Sequence, residues 1–222
     1  MSTLRSSVFN SLAVAVALAT TLSGGLVLTG CGGERAPEAA ANPASGLMAT
    51  SAAVGSARAD LSKTIGSLLH FKDGADAKAT YAEFSASVAG MKSGAAEVKS
   101  SYESMQAKKD LYLDAWKKEI SAVQDPALKA TAAKRISDVQ MSFLDITNAF
   151  GDAKASYDPF VVSVDSLQKV LVNDQTEAGV KAALPTIETA IAQGTEVSGK
   201  LAVISTQLDA LSGKLIPAAA AK

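Results

Sequence analysis

The sequence holds one cysteine, one histidine and one tryptophan, and aromatic residues make up only 5% of its 222 positions. A single cysteine excludes an intrachain disulfide. A single histidine, His70, has no Cys, second His or Glu-rich partner at ligand spacing, so a metal site is not predicted. Near the end of a helix it faces the carbonyl end of the dipole, which suits an imidazole. No Ser/His/Asp or Cys/His relay can be assembled. No glycine-rich phosphate loop precedes a helix, and a Walker-type lysine is missing. Alternating runs of Val, Ile, Thr or Tyr, the mark of a strand, are absent too. Lys plus Arg is 21 and Asp plus Glu is 22, a net charge of −1. That balance argues against nucleic acid or an anionic surface as the main partner. The expectation is a protein that is not an enzyme and uses no cofactor.

What the chain does have is alanine-rich helical periodicity. From Ala132 to Leu171, alternating steps of four and three visit Ala132, Ile136, Val139, Phe143, Ile146, Phe150, Ala153, Tyr157, Phe160, Val164, Leu167 and Leu171. An average spacing of 3.5 keeps one stripe of a helix against its partners. Pro159 lies inside this stretch without breaking the phase, which predicts a kink rather than an end. A second stripe runs Tyr81, Phe84, Val88, Met91, Ala95, Val98, Tyr102, Met105, Lys109, Tyr112 and Trp116. Lys109 is its only charge and is expected to lay its stem on the core while its ammonium reaches water. Gly90 and Gly94 make a small-xxx-small patch that permits close packing. A third stripe runs from Val180 through Ile187, Gly194, Leu201 and Leu208 to Leu215.

Turn signals divide these stripes into four helices. A shorter one, about Leu47 to His70, carries Val54, Ala57, Leu61, Ile65 and Leu68 and ends at Phe71-Lys72-Asp73-Gly74. The second is expected from about Asp76 to Val123. Asp125 and Pro126 supply an N-cap and a first-turn proline for the third, which continues to about Val172. Asp174 and Glu177 are spaced as a capping box ahead of the fourth, about Thr176 to Leu215. The predicted fold is all-α: an elongated antiparallel bundle of three long helices plus one shorter N-terminal helix, with coiled-coil-like packing. Its faces are wider than a two-stranded seam, which favours a monomer. Tyr102 should lie near Thr147, the start of the first helix near Leu47 should lie beside about Val98 to Tyr102, and the aromatic residues Phe71, Tyr81, Phe84, Tyr157 and Phe160 should gather at one end. Residues 47–216 are expected to form the bundle and 217–222 a frayed tail.

The N-terminus reads as an address. Arg5 is the only charge before Glu34, and Val8 to Leu28 is mostly apolar. The run ends in Leu28-Thr29-Gly30-Cys31, the chain's single cysteine. A positive start, an apolar core and small residues before a cut form a secretory signal. Leu28, Thr29, Gly30 and Cys31 resemble a bacterial lipobox, in which the cysteine is acylated and becomes the first mature residue. The reading is a signal peptide over residues 1–30, lipidation at Cys31 and a flexible tether over 31–46 containing Pro37 and Pro43. The acyl chains would hold the protein in the cell envelope, each buried methylene contributing about 0.8 kcal/mol. Gly32 behind the cysteine resembles a sorting signal for the periplasmic face of the outer membrane in a Gram-negative host.

The succession of lipobox, short helix ending in Phe71-Lys72-Asp73-Gly74, the Tyr81–Trp116 stripe, Tyr157-Asp158-Pro159-Phe160 and Leu167 to Asn173 resembles one bacterial family. That family is the helical domain of unknown function 2959, and the likeness covers roughly residues 55–215. The resemblance implies no catalytic residue. The expected role is that of a membrane-anchored structural, scaffolding or protein-interaction lipoprotein with an envelope protein partner. The alternative is a carrier that opens the aromatic end of the bundle around a lipid or small apolar ligand, a pocket that would need voids well-packed stripes do not leave.

Overall fold

A computed structural model describes residues 43–215. The described residues form α1 (Pro43–Lys72), α2 (Ala77–Ser121), α3 (Pro126–Leu171) and α4 (Glu177–Leu215), with no strand among them. The fold is all-α, and the helices pack on one another as the stripes require. Gly74 takes φ +78° between α1 and α2, a left-handed conformation that glycine adopts without a Cβ clash. Asp125 caps α3 by accepting from Ala127 N at 2.8 Å and Leu128 N at 3.0 Å, with Pro126 behind it. α3 continues through Pro159 to Leu171.

Two boundaries differ from expectation. α1 begins at Pro43, so 43–46 belong to the helix and not to the tether. Proline suits a first helical turn, and Pro43, Ala44, Gly46 and Leu47 are all buried. A Cβ on Gly46 would stand 3.4 Å from the Met105 Cα, ordinary contact distance, so α1 and α2 lie close together there. The cap of α4 is Thr176 and not the expected Asp174–Glu177 box. Thr176 Oγ1 accepts from Gly179 N at 3.1 Å, and Asp174 Oδ1 accepts from the Thr176 hydroxyl at 2.6 Å and its N–H at 3.1 Å. Those hydrogen bonds hold the Asp174 carboxyl below its ordinary pKa of 3.8.

Contacts between α1 and α2 step through Gly46–Met105, Thr50–Ser101, Ala57–Gly94 and Phe71–Phe84, residue numbers falling in α2 as they rise in α1. Leu47 therefore lies beside Met105, about one turn beyond the expected Val98 to Tyr102. α1 also packs on α4, with Ser51 donating to Asp209 at 2.9 Å and Lys72 pairing with Glu188 at 3.2 Å. α3 packs on α4 through Ser156–Glu196 and Ser163–Gln193, each 2.8 Å. α2 and α3 are the least closely joined of the four neighbouring pairs.

Between these contacts the apolar interior divides in two. One core gathers Phe71, Phe84, Phe160, Leu167 and Ile187, with Tyr81 and Tyr157 against it. The other gathers Leu47, Met105, Phe143, Ile146 and Leu208, with Tyr102 and Phe150 against it. Leu201 packs against both. The aromatic gathering expected from the sequence is present in the first core, where Phe71 and Phe84 meet edge-on at 5.9 Å.

Candidate functional site

The seam between the two cores opens to solvent. Along α3 the stripe is buried from Ile136 to Ile146 and again at Phe160 to Leu171, but Phe150 and Tyr157 are only half-buried. Along α2, Ala95, Val98 and Tyr102 are half-buried in the same way. These residues face one another across a cleft of about 590 Å³ between α2 and α3, whose floor is Ala57 and Leu61 of α1 and Val197 and Leu201 of α4. The cause is side-chain volume. Stripe positions 95 and 153 and the facing position 57 are alanine, and Gly151 adds none. A Cβ on Gly94 would sit 3.3 Å from Ala57 Cα, so α2 lies close against α1 there, whereas α2 and α3 are less closely joined. Small residues that draw one pair of helices together leave the other pair unfilled.

Polar bridges between α2 and α3 bound the opening. At one end Lys92 Nζ meets Asp165 Oδ1 at 2.6 Å. At the other, Tyr102 Oη and Gln106 Nε2 donate to Thr147 Oγ1 at 3.3 and 3.0 Å, and the Tyr102 ring lies 4.5 Å from that of Phe150. Lys92 and Tyr102 are ten residues apart on α2, about 15 Å of helix. The rim carries Lys99 with Glu103 on α2 at 3.9 Å and Lys154 with Asp158 on α3 at 2.5 Å. Burial pushes the Tyr157 phenol above its ordinary pKa of 10.0, and Asp165 and Asp158 add to the shift. Among the described residues no hydrogen bond uses the Tyr157 hydroxyl.

The cleft is mainly apolar inside, with its charged side chains paired at the rim. Sequence reasoning placed a pocket, if any, at the aromatic end and expected tightly packed stripes to leave no void. The signal it missed was the coincidence of alanines at 57, 95 and 153 at one level of the bundle, which becomes visible only once the helices are in register. His70 lies in the last turn of α1 as expected, exposed, with Nδ1 3.3 Å from Glu83 Oε2 on α2. Lys109 does snorkel, its ammonium 2.7 Å from Gln106 Oε1 and 3.1 Å from Asp110. Among the described residues no cluster of His, Cys, Asp and Glu could hold a metal. No helix of the described residues is long and apolar enough to cross a membrane. Leu28, Thr29, Gly30 and Cys31 lie outside the described residues, as do tether residues 31–42 and the tail.

Fold and cleft together define a four-helix protein with an apolar cleft between its second and third helices. The chain belongs to the family described as protein of unknown function (DUF2959), whose model matches residues 50–197, more than half of its length. Nothing among curated proteins or solved structures matches the chain.

Proposed function

We propose that this is a lipid-anchored protein of the bacterial cell envelope that holds an apolar ligand between α2 and α3, without catalysis. The observation that supports binding is the cleft itself, a solvent-open space of about 590 Å³ with a mainly apolar lining. Small-ligand pockets occupy about 300–1,000 Å³ and are mainly apolar with a few polar groups at the edge. The anchor rests on the Leu28-Thr29-Gly30-Cys31 motif, with the periplasmic face of the outer membrane as its address in a Gram-negative host. The packing belongs to the antiparallel, coiled-coil-like class, supported by the 3.5-residue stripes and the falling α1–α2 register. α1 starts beside Met105, short of the end of α2 at Ser121. Residue 43, the first described, then enters the bundle along the length of α2 rather than at its end.

Organic extraction of protein purified from envelopes, followed by mass spectrometry, tests the ligand. An apolar compound recovered in near-equal amount from wild type and lost from Ala95→Phe is the expected result. Protein that carries no apolar compound and binds none on addition would overturn the carrier reading.

A scaffolding reading has its own support at the far end of the α2–α3 hairpin, where Leu111 and Leu128 are exposed. Site-specific crosslinkers at those positions would then capture one envelope protein reproducibly, and Leu128→Glu would abolish the capture.

A further inference from the structure

Building on the carrier reading, we infer that the cleft takes a single-chain amphiphile with a zwitterionic head, its tail between α2 and α3 and its head at the Lys99–Lys154 rim. Volume sets the tail. With about 30 Å³ for a water-sized group, 590 Å³ admits roughly twenty non-hydrogen groups, which is one acyl chain and not two. Wall chemistry agrees, since Ala95, Val98, Phe150, Ala153 and Leu201 offer the tail no polar partner.

Charge sets the head. Each wall of the opening carries one cation and one anion four residues apart, Lys99 with Glu103 on α2 and Lys154 with Asp158 on α3. A fatty acid would meet two ammonium groups but also two carboxylates. A head bearing both signs matches both, its phosphate on the lysines and its ammonium on the acids. The existing pairs are solvent-exposed, all four side chains at least 58% accessible, so exchanging them for a ligand costs little. The Tyr157 hydroxyl, without a hydrogen-bond partner among the described residues, lines the cleft beside Asp158 and supplies a donor to the ester or phosphate oxygen.

The test is native mass spectrometry of the full chain, and in parallel of its Cys31→Ser form, titrated with palmitoyl lysophosphatidylethanolamine, palmitate and dipalmitoyl phosphatidylethanolamine. One lysophospholipid per chain is expected, with palmitate and the diacyl lipid each at least tenfold weaker. Ala95→Phe should abolish that binding, and Ala153→Leu should weaken it at least tenfold if Ala95→Phe fails to fold. Lys154→Glu should weaken the lysophospholipid several-fold while leaving palmitate unchanged or weaker. Equal binding of palmitate and lysophospholipid would overturn the zwitterionic head yet leave the carrier reading standing. Tight binding of the diacyl lipid would overturn the single chain. Binding by Cys31→Ser but not by the acylated chain would assign the cleft to the protein's own acyl group and overturn the proposal. No binding of any probe would overturn both the inference and the carrier reading.

Discussion

Phe143 and Phe150 stand seven residues apart on one stripe of α3 and are indistinguishable by periodicity, yet they do different work. Phe143 is 2% exposed inside the second core, whereas Phe150 forms a half-buried wall of the cleft. Phe143→Ala should cost about 3–5 kcal/mol, the transfer term plus a cavity. Phe150→Ala merely widens an existing opening and should cost about 1–2 kcal/mol, since only part of the ring leaves water on folding. Urea denaturation of the two variants measures the difference; equal costs would show that position 150 is as enclosed as 143. Tyr157, on the same α3 wall about two turns further along, makes a prediction in pH. Its phenol has a raised pKa in the folded chain, first through burial and then through Asp165 and Asp158. Its stabilising contribution is therefore complete below pH 10 and declines as pH rises through the raised value. Tyr112 declines in the same direction, also through burial. Tyr157→Phe has no proton to lose, so its stability should fall less steeply than wild type above about pH 10, as denaturation at pH 8 and at higher pH would show.

At the level of the helices, the turns were the most legible part of the sequence. Asp125-Pro126 and Asp73-Gly74 break and restart the chain by local backbone chemistry, and both act where expected. Pro43 and Thr176 were less legible, because a cap depends on which of several candidate oxygens finds a free N–H. Register between helices was the least legible. A stripe says which face is apolar, but not which turn of one helix meets which turn of another. The expected pairing of α1 with α2 was short by about one turn, because Gly46 packs directly against Met105, whose Cα lies 3.4 Å from where a Cβ would stand. Thr50 Oγ1 lies 3.2 Å from Ser101 Oγ, so a disulfide at these positions is within geometric reach. Thr50→Cys with Ser101→Cys in a Cys31→Ser background should oxidise to a single intramolecular bridge with the fold retained. Failure to close under mild oxidant, with both thiols intact by mass, would mean the register differs.

Over the whole molecule, the address and the cleft belong to different parts of the chain. The proposed address rests on four residues, Leu28 to Cys31, read from their spacing alone. Because acylation requires the thiol, Cys31→Ser should leave an unacylated precursor, read directly from intact mass; a mature wild-type chain without acyl groups would refute the anchor. The cleft, in contrast, is assembled from all four helices and from residues as far apart as Ala57 and Leu201.

The sequence alone determined the all-α class, the number of helices, which stripe of each is apolar and the family resemblance, because these follow from local spacing and from turn residues. Tertiary structure decided that the interior is two cores rather than one, and that the level holding Ala57, Ala95 and Ala153 stays open. The physical reason is that an alanine on a stripe counts as apolar in any periodicity. It leaves a void only when the residues facing it across the bundle are small as well. Which residues face it depends on helix register, and that is set by a few close backbone approaches such as Gly46 to Met105 and Gly94 to Ala57.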